Sequence, residues 1–212
     1  MLLHELLAQP ATAVAPLLLG ATLTSSVTDD HGAGQPVAVR LTEVEAYLGE
    51  VDPGSHAFRG RTARNEVMFG PAGRLYVYFT YGMHWCANVV TGAEGQAQGV
   101  LLRAGEIVEG VDVARRRRLA GRHGRLADRD LARGPARLAQ ALGITGVHLG
   151  HRLDEQPLTL TLPDTPAAEV ASGPRVGVSG PGGDGEQFPW RFWVPGESSV
   201  STYRPAVRRR RR

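Results

Sequence analysis

The amino-acid sequence predicts a single domain that mixes α-helices with β-strands. A chain of 212 residues lies within the size at which mixed domains stay undivided. Its apolar share of 42% supports a sizeable core and is too high for a disordered chain. Runs of alternating polar and apolar residues, typical of strands, are interleaved with runs at helical spacing. We expect the domain to span residues 1–207, followed by a disordered arginine tail at 208–212.

The N-terminal elements follow from leucine spacing and from turn residues. The segment M-L-L-H-E-L-L places leucines at helical spacing, which predicts one or two helices within residues 1–22. A strand over 19–27 ends at the turn signal T-D-D-H-G-A-G. The next strand covers 37–48. The chain therefore begins with helix and continues into sheet.

The strand over 37–48 carries two acids on one face. Alternation puts Glu43 and Glu45 there, together with Leu41 and Tyr47. Burying carboxylates is costly unless they are paired or used. Two interpretations stay open. In the first, both acids are structural, either paired with arginines or exposed to solvent by the twist of the strand. In the second, Glu45 takes part in chemistry.

A loop over 49–64 follows, and it is rich in arginine. Arg59, Arg61 and Arg64 fit either bidentate contacts to phosphate or a solvated surface. His56 lies in the same loop without a cysteine partner or an H-x-x-x-H spacing, so a metal site is not indicated.

Two further strands, over 75–80 and 85–90, are joined by Y-G-M-H, which predicts a hairpin with Tyr81 at its tip. A large aromatic residue at a tip has no core-packing reason. It either folds back on its own sheet or acts as a wedge that unstacks bases. Tyr76 and Tyr78 could supply a stacking surface beside it.

The second half of the chain predicts a buried strand, two helical regions and three short strands. V-L-L-R-A reads as the buried strand, and its Arg103 needs an acid or another acceptor. A glycine-rich loop, expected to be mobile, covers 180–185. The strands are expected over 100–104, 158–162, 175–178 and 190–194, and the helical regions over 107–120 and 128–142.

Positive charge is concentrated in the middle of the chain. Residues 56–137 carry fourteen arginines against seven acids, a net charge of +7, while 1–55 and 138–207 carry −6 and −3. A localised basic patch favours a polyanionic partner, although charge alone fits a solvated surface equally well. All 24 positive charges are arginines, and no lysine is present.

Cysteine usage and hydropathy limit the possible disulfides, metal sites and membrane segments. The single Cys86 excludes an intramolecular disulfide and a cysteine-built zinc site, and we expect neither a metal nor another cofactor. No apolar run approaches the ~20 residues of a membrane span. The N-terminus lacks the basic region of a signal peptide. We therefore expect a cytoplasmic protein without a membrane partner.

Four motifs in one order carry a resemblance to a known family. They are T-E-V-E-A-Y-L-G from Thr42, R-T-A-R-N-E-V-M-F from Arg61, L-Y-V-Y-F-T-Y-G-M from Leu75 and V-L-L-R-A from Val100. Weaker matches are R-G-P-A-R-L, R-V-G-V and W-R-F-W. The sequence resembles the alkyladenine (3-methyladenine) DNA glycosylase family over roughly residues 15–203.

This resemblance implies an α+β fold, with a curved, open-barrel-like antiparallel sheet, surrounding helices and a protruding hairpin that inserts into DNA. It implies a monomer that binds double-stranded DNA containing damaged purines, alkylated or deaminated, and hydrolyses their N-glycosidic bond in base excision repair. An arginine-only chain also lacks the lysine amine with which strand-cutting glycosylases form a Schiff base. We therefore expect a monofunctional glycosylase.

The resemblance also implies roles for individual residues. Glu45 matches the general base, and Arg103 matches a residue that holds the catalytic water. Asn88 matches the residue that excludes the guanine 2-amino group. The walls that sandwich the flipped base are matched by Tyr47, His56 and Tyr78.

On the DNA side, Tyr81 matches the residue inserted into the duplex, with Met83 beside it. Arg137 stands in a helix where family members have a lysine for DNA phosphate, and arginine keeps the charge but not the geometry. Ala63 replaces the usual proline of the arginine loop, and no catalytic group is lost by this change. The residues expected at the DNA backbone are Arg59, Arg61, Arg64 and Arg137.

Two alternatives remain. A non-catalytic module could use the same basic region and tyrosines to bind a single strand by stacking, although Glu45 would then face an anionic strand without purpose. A hydrolase of small glycosides could use Glu43 and Glu45 as paired acids about 6–7 Å apart on one strand. Activity on free nucleosides but not on duplex DNA would indicate the second.

Overall fold

The computed structural model describes residues 2–28, 36–80, 82–120 and 124–206. Over these ranges the chain forms one curved antiparallel sheet, a half-barrel, with four α-helices against it, which confirms the predicted α+β fold. The helices are α1 (Leu3–Leu7), α2 (Ala11–Leu17), α3 (Val111–Leu119) and α4 (Pro135–Leu142). The strands are β1 (Thr22–Ser25), β2 (Val37–Leu48), β3 (Leu75–Thr80), β4 (His84–Thr91), β5 (Gln98–Glu109), β6 (Asp154–Glu155), β7 (Leu158–Thr161), β8 (Ala171–Gly173) and β9 (Arg191–Trp193).

Strand β2 is the centre of the sheet. The strands follow the order β3-β4-β5-β2-β1-β7-β6, and β9 pairs with both β2 and β8. Along one edge β2 pairs with β5 over almost its whole length. Along the other edge its first residues pair with β1, and Glu43–Glu45 pair with β9. Both acids therefore lie in the interior of the sheet, away from any free strand edge.

The main core lies between the sheet and helices α2 and α4. Helix α4 begins with Pro135 at its first turn and ends at Gly143, whose φ of 71° is the left-handed conformation that glycine adopts without strain. Its apolar face, including Leu138 and Leu142, is fully buried together with Leu102 of β5. The first turn of α4 is thereby fixed beside the sheet, where it borders the site described below.

An irregularity in β2 separates Leu41 from the acids that follow it. The pairing of β2 with β5 shifts register between Leu41 and Glu43 and again between Glu43 and Val44. Leu41 lies in the main core with Val44 and Ala46. The prediction that it shares a face with Glu45 is therefore wrong, because simple alternation does not continue through a bulge.

Two other elements differ from the sequence prediction. β5 runs on to Glu109, and α3 begins only after Gly110, whereas a helix was expected from residue 107. The chain turns at Gly110 with a φ of 71°. Residues 175–178 were expected to form a strand, but the strand here is β8, and Arg175 follows it in a loop.

Strands β3 and β4 form the predicted antiparallel pair, from Leu75 opposite Val89 to Thr80 opposite His84. Met83 in their connection is 64% exposed. Tyr81 lies outside the described residues, as does the tail at 208–212, so the inserting hairpin and the disordered tail stay predictions. None of the helices in the described part of the chain is long and apolar enough to cross a membrane.

Candidate active site

A cavity of about 500 Å³ opens beside the C-terminal end of β2. Its floor and walls come from β2, β3, β4 and β5, from two loops, over 53–56 and 176–179, and from the first turn of α4. The lining residues are Glu45, Tyr47, Pro53, Gly54, His56, Met68, Tyr76, Tyr78, Thr80, His84, Cys86, Asn88, Leu101, Arg103, Pro135, Ala136, Val176, Gly177, Val178 and Ser179.

Glu45 is the carboxylate in this cavity wall, and its side chain is fully buried. Its Oε2 accepts a hydrogen bond from the Tyr47 hydroxyl at 2.9 Å, and its Oε1 accepts one from the Val176 backbone N–H at 2.7 Å. The Arg103 guanidinium lies 3.5 Å from Oε1. These donors compensate for the burial of a charged group. They also fix the carboxylate in one orientation.

Arg103 finds the acids that its buried position requires. Its Nε donates to Glu43 Oε1 at 2.8 Å while its terminal nitrogen faces Glu45. Burial opposes the charged form, but Glu45 and Glu43 outweigh it and raise the pKa of Arg103. Arg103 therefore stays a cation held between two carboxylates.

Glu43 has a different environment from Glu45. Its oxygens also accept hydrogen bonds from Arg191 Nε at 2.6 Å and from the Ser201 backbone N–H at 2.7 Å. It is fully buried and does not line the cavity. The interpretation that these acids pair with arginines is confirmed for both, because Arg103 contacts Glu43 and Glu45 and Arg191 contacts Glu43. The small-glycoside alternative loses its second acid, because Glu43 cannot reach a substrate in the cavity.

Aromatic rings form much of the cavity wall. The His56 and Tyr78 rings meet edge to face with centroids 4.5 Å apart, and Tyr76 stacks on Tyr78 at 5.7 Å. His56 Nδ1 lies 3.2 Å from the Tyr76 hydroxyl. The rings of Tyr76, Tyr78 and His56 thus form one cluster in the cavity wall, and their role as a stacking surface stays a prediction. A planar ring entering the cavity would meet apolar faces of fixed orientation.

Burial keeps these side chains neutral. Burial, followed by the charge of Glu45, raises the pKa of Tyr47 well above its ordinary value. Burial, and after it the Cys86 thiol, raises the pKa of Tyr78 as well. His56 is exposed to solvent as a whole residue, but desolvation of its ring beside the tyrosines, and after it the nearby Arg64, lowers its pKa. The pKa of Tyr76, which also lines the cavity, is raised by burial too, so at neutral pH all three phenols are protonated and the His56 imidazole is uncharged.

Asn88 also lines the cavity, where sequence reasoning expected it. It is buried on β4, and its Nδ2 donates to the Tyr76 backbone carbonyl at 3.4 Å. That bond orients the amide beside the tyrosine pair.

The four arginines expected at the DNA backbone are exposed and lie outside the cavity lining. Arg61 pairs with Glu66 at 3.1 Å and covers the Phe69 ring, and Arg64 donates to a backbone carbonyl at 3.4 Å. Arg137 lies 3.7 Å from Asp130. Arg59 has no side-chain partner among the residues that the structure describes. These contacts leave all four cations open to a ligand at the surface.

Sequence reasoning missed a buried ion pair behind the cavity. Arg175 forms two hydrogen bonds with Asp52 and contacts the Tyr47 ring. The next residue, Val176, supplies the backbone donor to Glu45. No spacing rule could pair residues so far apart in the chain, and the signal of R-V-G-V was interpreted as a strand. Among the described residues, no group of three or more His, Cys, Asp or Glu side chains could hold a metal ion.

The chain matches a family of DNA glycosylases, which are hydrolases of N-glycosyl bonds. The model of the family described as Methylpurine-DNA glycosylase matches residues 5–198. The chain therefore belongs to the methylpurine-DNA glycosylase family, as the four motifs predicted. It is a DNA glycosylase for alkylated bases.

Bacterial relatives agree with this assignment. A protein of Leifsonia xyli subsp. xyli is 57% identical over 192 residues, which cover 90% of this chain and 87% of the relative. A protein of Streptomyces avermitilis is 52% identical over 216 residues, covering 100% and 95%. Both carry the name "Putative 3-methyladenine DNA glycosylase".

Proposed function

We propose that this enzyme flips damaged purines, alkylated or deaminated, out of double-stranded DNA and hydrolyses their N-glycosyl bond to leave an abasic site for base excision repair. The observation that carries the proposal is the Glu45 carboxylate, buried and oriented in the wall of an aromatic cavity. A base inside a duplex is unreachable, so the enzyme must extrude it, at a cost of a few kcal/mol. A pure binding module has no use for an acid facing an anionic strand.

Stacking supports the flipped state. Tyr47, His56 and Tyr78 line a cavity whose volume is in the range of small-ligand sites. Base–aromatic stacking contributes roughly 1–3 kcal/mol per base. Alkylation gives the purine a positive charge, which the faces of neutral aromatic rings attract. The proposed walls therefore suit an alkylated purine better than an ordinary one.

The chemical step follows from the position of Glu45. As the C1′–N bond breaks, its electron pair leaves with the purine and the sugar becomes oxocarbenium-like. The carboxylate stabilises that charge and accepts a proton from the attacking water, whose oxygen bonds to C1′. Arg103 helps to hold that water. An alkylated purine leaves as a neutral base, while a deaminated purine must be protonated or hydrogen-bonded as it departs.

Asn88 and Tyr81 complete the proposal. The Asn88 amide excludes the guanine 2-amino group, which directs the enzyme to adenine-derived lesions and hypoxanthine. Tyr81, with Met83 beside it, fills the space that the extruded nucleotide leaves in the duplex and offsets part of the cost of extrusion. Exposed arginines of the loop over 59–64, together with Arg137, neutralise phosphates along the strand. We propose that the enzyme acts as a monomer.

The printed sequence has no lysine, so a lysine Schiff base with the sugar cannot form. The proposed enzyme is therefore monofunctional. The test uses one duplex with a single hypoxanthine and one with an N-alkylated purine, each incubated with enzyme and then divided. Strand cleavage only after hot alkali is the expected result, and borohydride should trap no covalent adduct. Release from free nucleosides but not from either duplex would contradict the proposal.

A further inference from the structure

The ion pair between Arg175 and Asp52 is enclosed completely, with no exposed side-chain surface on either residue. Two parallel contacts join the side chains, at 2.6 and 2.7 Å. The remaining terminal N–H groups of Arg175 donate to the carbonyls of Ala46 at 2.9 Å and Gly182 at 2.8 Å. Replacing such a pair by apolar residues is often neutral for stability. Stability alone therefore does not account for this arrangement.

The pair lies directly behind the proposed excision site. The Arg175 guanidinium carbon is 4.4 Å from the centre of the Tyr47 ring. Arg175 is buried and does not line the cavity, whereas Tyr47 does. The backbone N–H of the adjoining Val176 donates to Glu45 at 2.7 Å. Arg175 thus supports the Tyr47 ring with its side chain, and the backbone N–H of the adjoining Val176 orients Glu45.

Asp52 extends the same support to the loop that carries His56. Its carboxylate accepts the backbone N–H groups of Leu48 at 3.2 Å and Gly54 at 2.8 Å, which shapes the loop leading to His56. A Cβ on Gly54 would stand 2.4 Å from the Arg175 guanidinium. The loop and the arginine are therefore in direct contact. Movement of the pair would therefore alter both the Tyr47 part of the wall and the loop that carries His56.

We propose that Arg175, held by Asp52, is a positioning residue for excision: it fixes Glu45 and Tyr47 relative to each other and to the loop that carries His56. The inference rests on the proposed function, because it concerns the rate at which Glu45 releases a flipped base. Displacing a reacting group by about 1 Å can slow a reaction about 10²-fold. Loss of the two parallel hydrogen bonds between the Arg175 guanidinium and Asp52 should therefore slow base release more than it weakens DNA binding.

The test compares Arg175→Lys with Arg40→Lys. Both substitutions keep the positive charge and remove the planar guanidinium group. Arg40, however, pairs with Glu106 and Glu197 away from the cavity. The single-turnover rate constant is measured with saturating enzyme on the hypoxanthine duplex. Affinity is measured with a duplex carrying a stable abasic-site analogue, and 2-aminopurine beside the lesion reports flipping. Arg175→Lys should lose about 10²-fold in rate constant with affinity and flipping signal retained, and Arg40→Lys should match the wild type.

Wild-type rates for Arg175→Lys, or a parallel loss of rate, affinity and flipping signal, would overturn the inference. If Arg175→Lys shows no cooperative melting transition, Gly54→Ala is the second variant, because its added Cβ displaces the guanidinium. Slow release by a folded Gly54→Ala supports the positioning role, and wild-type release refutes it. Failure of the proposed function is distinguishable from failure of this inference, because in that case the wild-type enzyme itself releases no base.

Discussion

Asn88 is the residue whose amide we expect to decide which purines are accepted. Asn88→Ser shortens a side chain that lines the cavity and so makes room for a 2-amino group. We expect selectivity for hypoxanthine over guanine to fall by roughly 10-fold or more. Release of both bases from matched duplexes measures this ratio. Thr91→Ser, a change in the same strand but outside the cavity lining, is the control, and an unchanged ratio for Asn88→Ser would count against the assignment.

His56 gives the cavity a dependence on pH. Burial, and after it Arg64, lowers the pKa of His56 below the ordinary 6.5, so the ring is neutral at pH 7 and gains its charge only in more acid solution. The charged ring repels a cationic alkylated purine and leaves neutral hypoxanthine unaffected. The ratio of alkylated-purine to hypoxanthine excision should therefore fall as the pH drops below 6.5.

The ratio cancels any effect of pH that acts equally on both substrates. His56→Gln places a neutral side chain at the same position and should give a smaller fall in the ratio over the same range. A ratio that falls equally in the wild type and the variant would show that another group is responsible.

Single residues were predictable where pattern and chemistry coincide. The alternation in β2 and the cost of burying a carboxylate indicated Glu45. The prediction that the buried Arg103 needs an acidic partner is confirmed. The sequence could not show which of two acids the arginines neutralise, because Arg191 lies 148 positions from Glu43. For the same reason it did not reveal Arg175 and Asp52, which are 123 positions apart.

Among the elements, the junction of β5 and α3 depends on Gly110. Its φ is 71°, and an added Cβ would stand 2.2 Å from the Pro36 carbonyl oxygen. Gly110→Ala should therefore lower the free energy of unfolding by more than about 1 kcal/mol. Denaturant titration measures the loss.

Gly95→Ala is the matched control for this change. Gly95 has a φ of 92°, but nothing lies within 4 Å of an added Cβ, so the substitution introduces backbone strain without a clash. The difference between the two variants isolates the contact with Pro36. Equal losses would mean that the close approach contributes nothing.

Elements with regular alternation were predicted well, and boundaries set by tertiary contacts were not. β2 and β3 have the predicted limits, because turn and loop residues bound both strand-forming segments. The start of α3 was placed too early, because Ile107 suits either a strand or a helix and only its pairing with Val39 decides. The segment 175–178 has strand-forming residues, but burial of Arg175 against Asp52 holds it as a loop.

At the scale of the whole molecule, the sequence has no lysine, so we expect arginines to supply the positive charge that meets DNA phosphates. Arg59 is exposed in the loop beside the cavity, so Arg59→Gln should weaken binding to all duplexes alike. The plot of log affinity against log salt concentration should lose about one unit of slope. Arg40→Gln, which removes an arginine already paired with two acids, should leave the slope unchanged. An unaltered slope for Arg59→Gln would place that arginine away from the phosphates.

The α+β architecture and the family were predictable from the sequence because four motifs occur in one order through the chain. The assembly of the cavity was not, since its wall combines the end of β2, two loops and the first turn of α4. These segments approach one another only through the curvature of the sheet and through buried ion pairs. Charge totals along the sequence suggested a polyanion but gave no position for it.

The most direct test of Glu45 as the general base compares Glu45→Gln with Glu109→Gln on the hypoxanthine duplex. Both changes remove one carboxylate charge, but Glu109 is exposed at the end of β5. If Glu45 is the general base, Glu45→Gln lowers the single-turnover rate constant by roughly 10²–10⁴-fold while duplex binding is retained, and Glu109→Gln behaves as the wild type. Base release by Glu45→Gln at the wild-type rate would contradict this role and make Glu45 a structural residue.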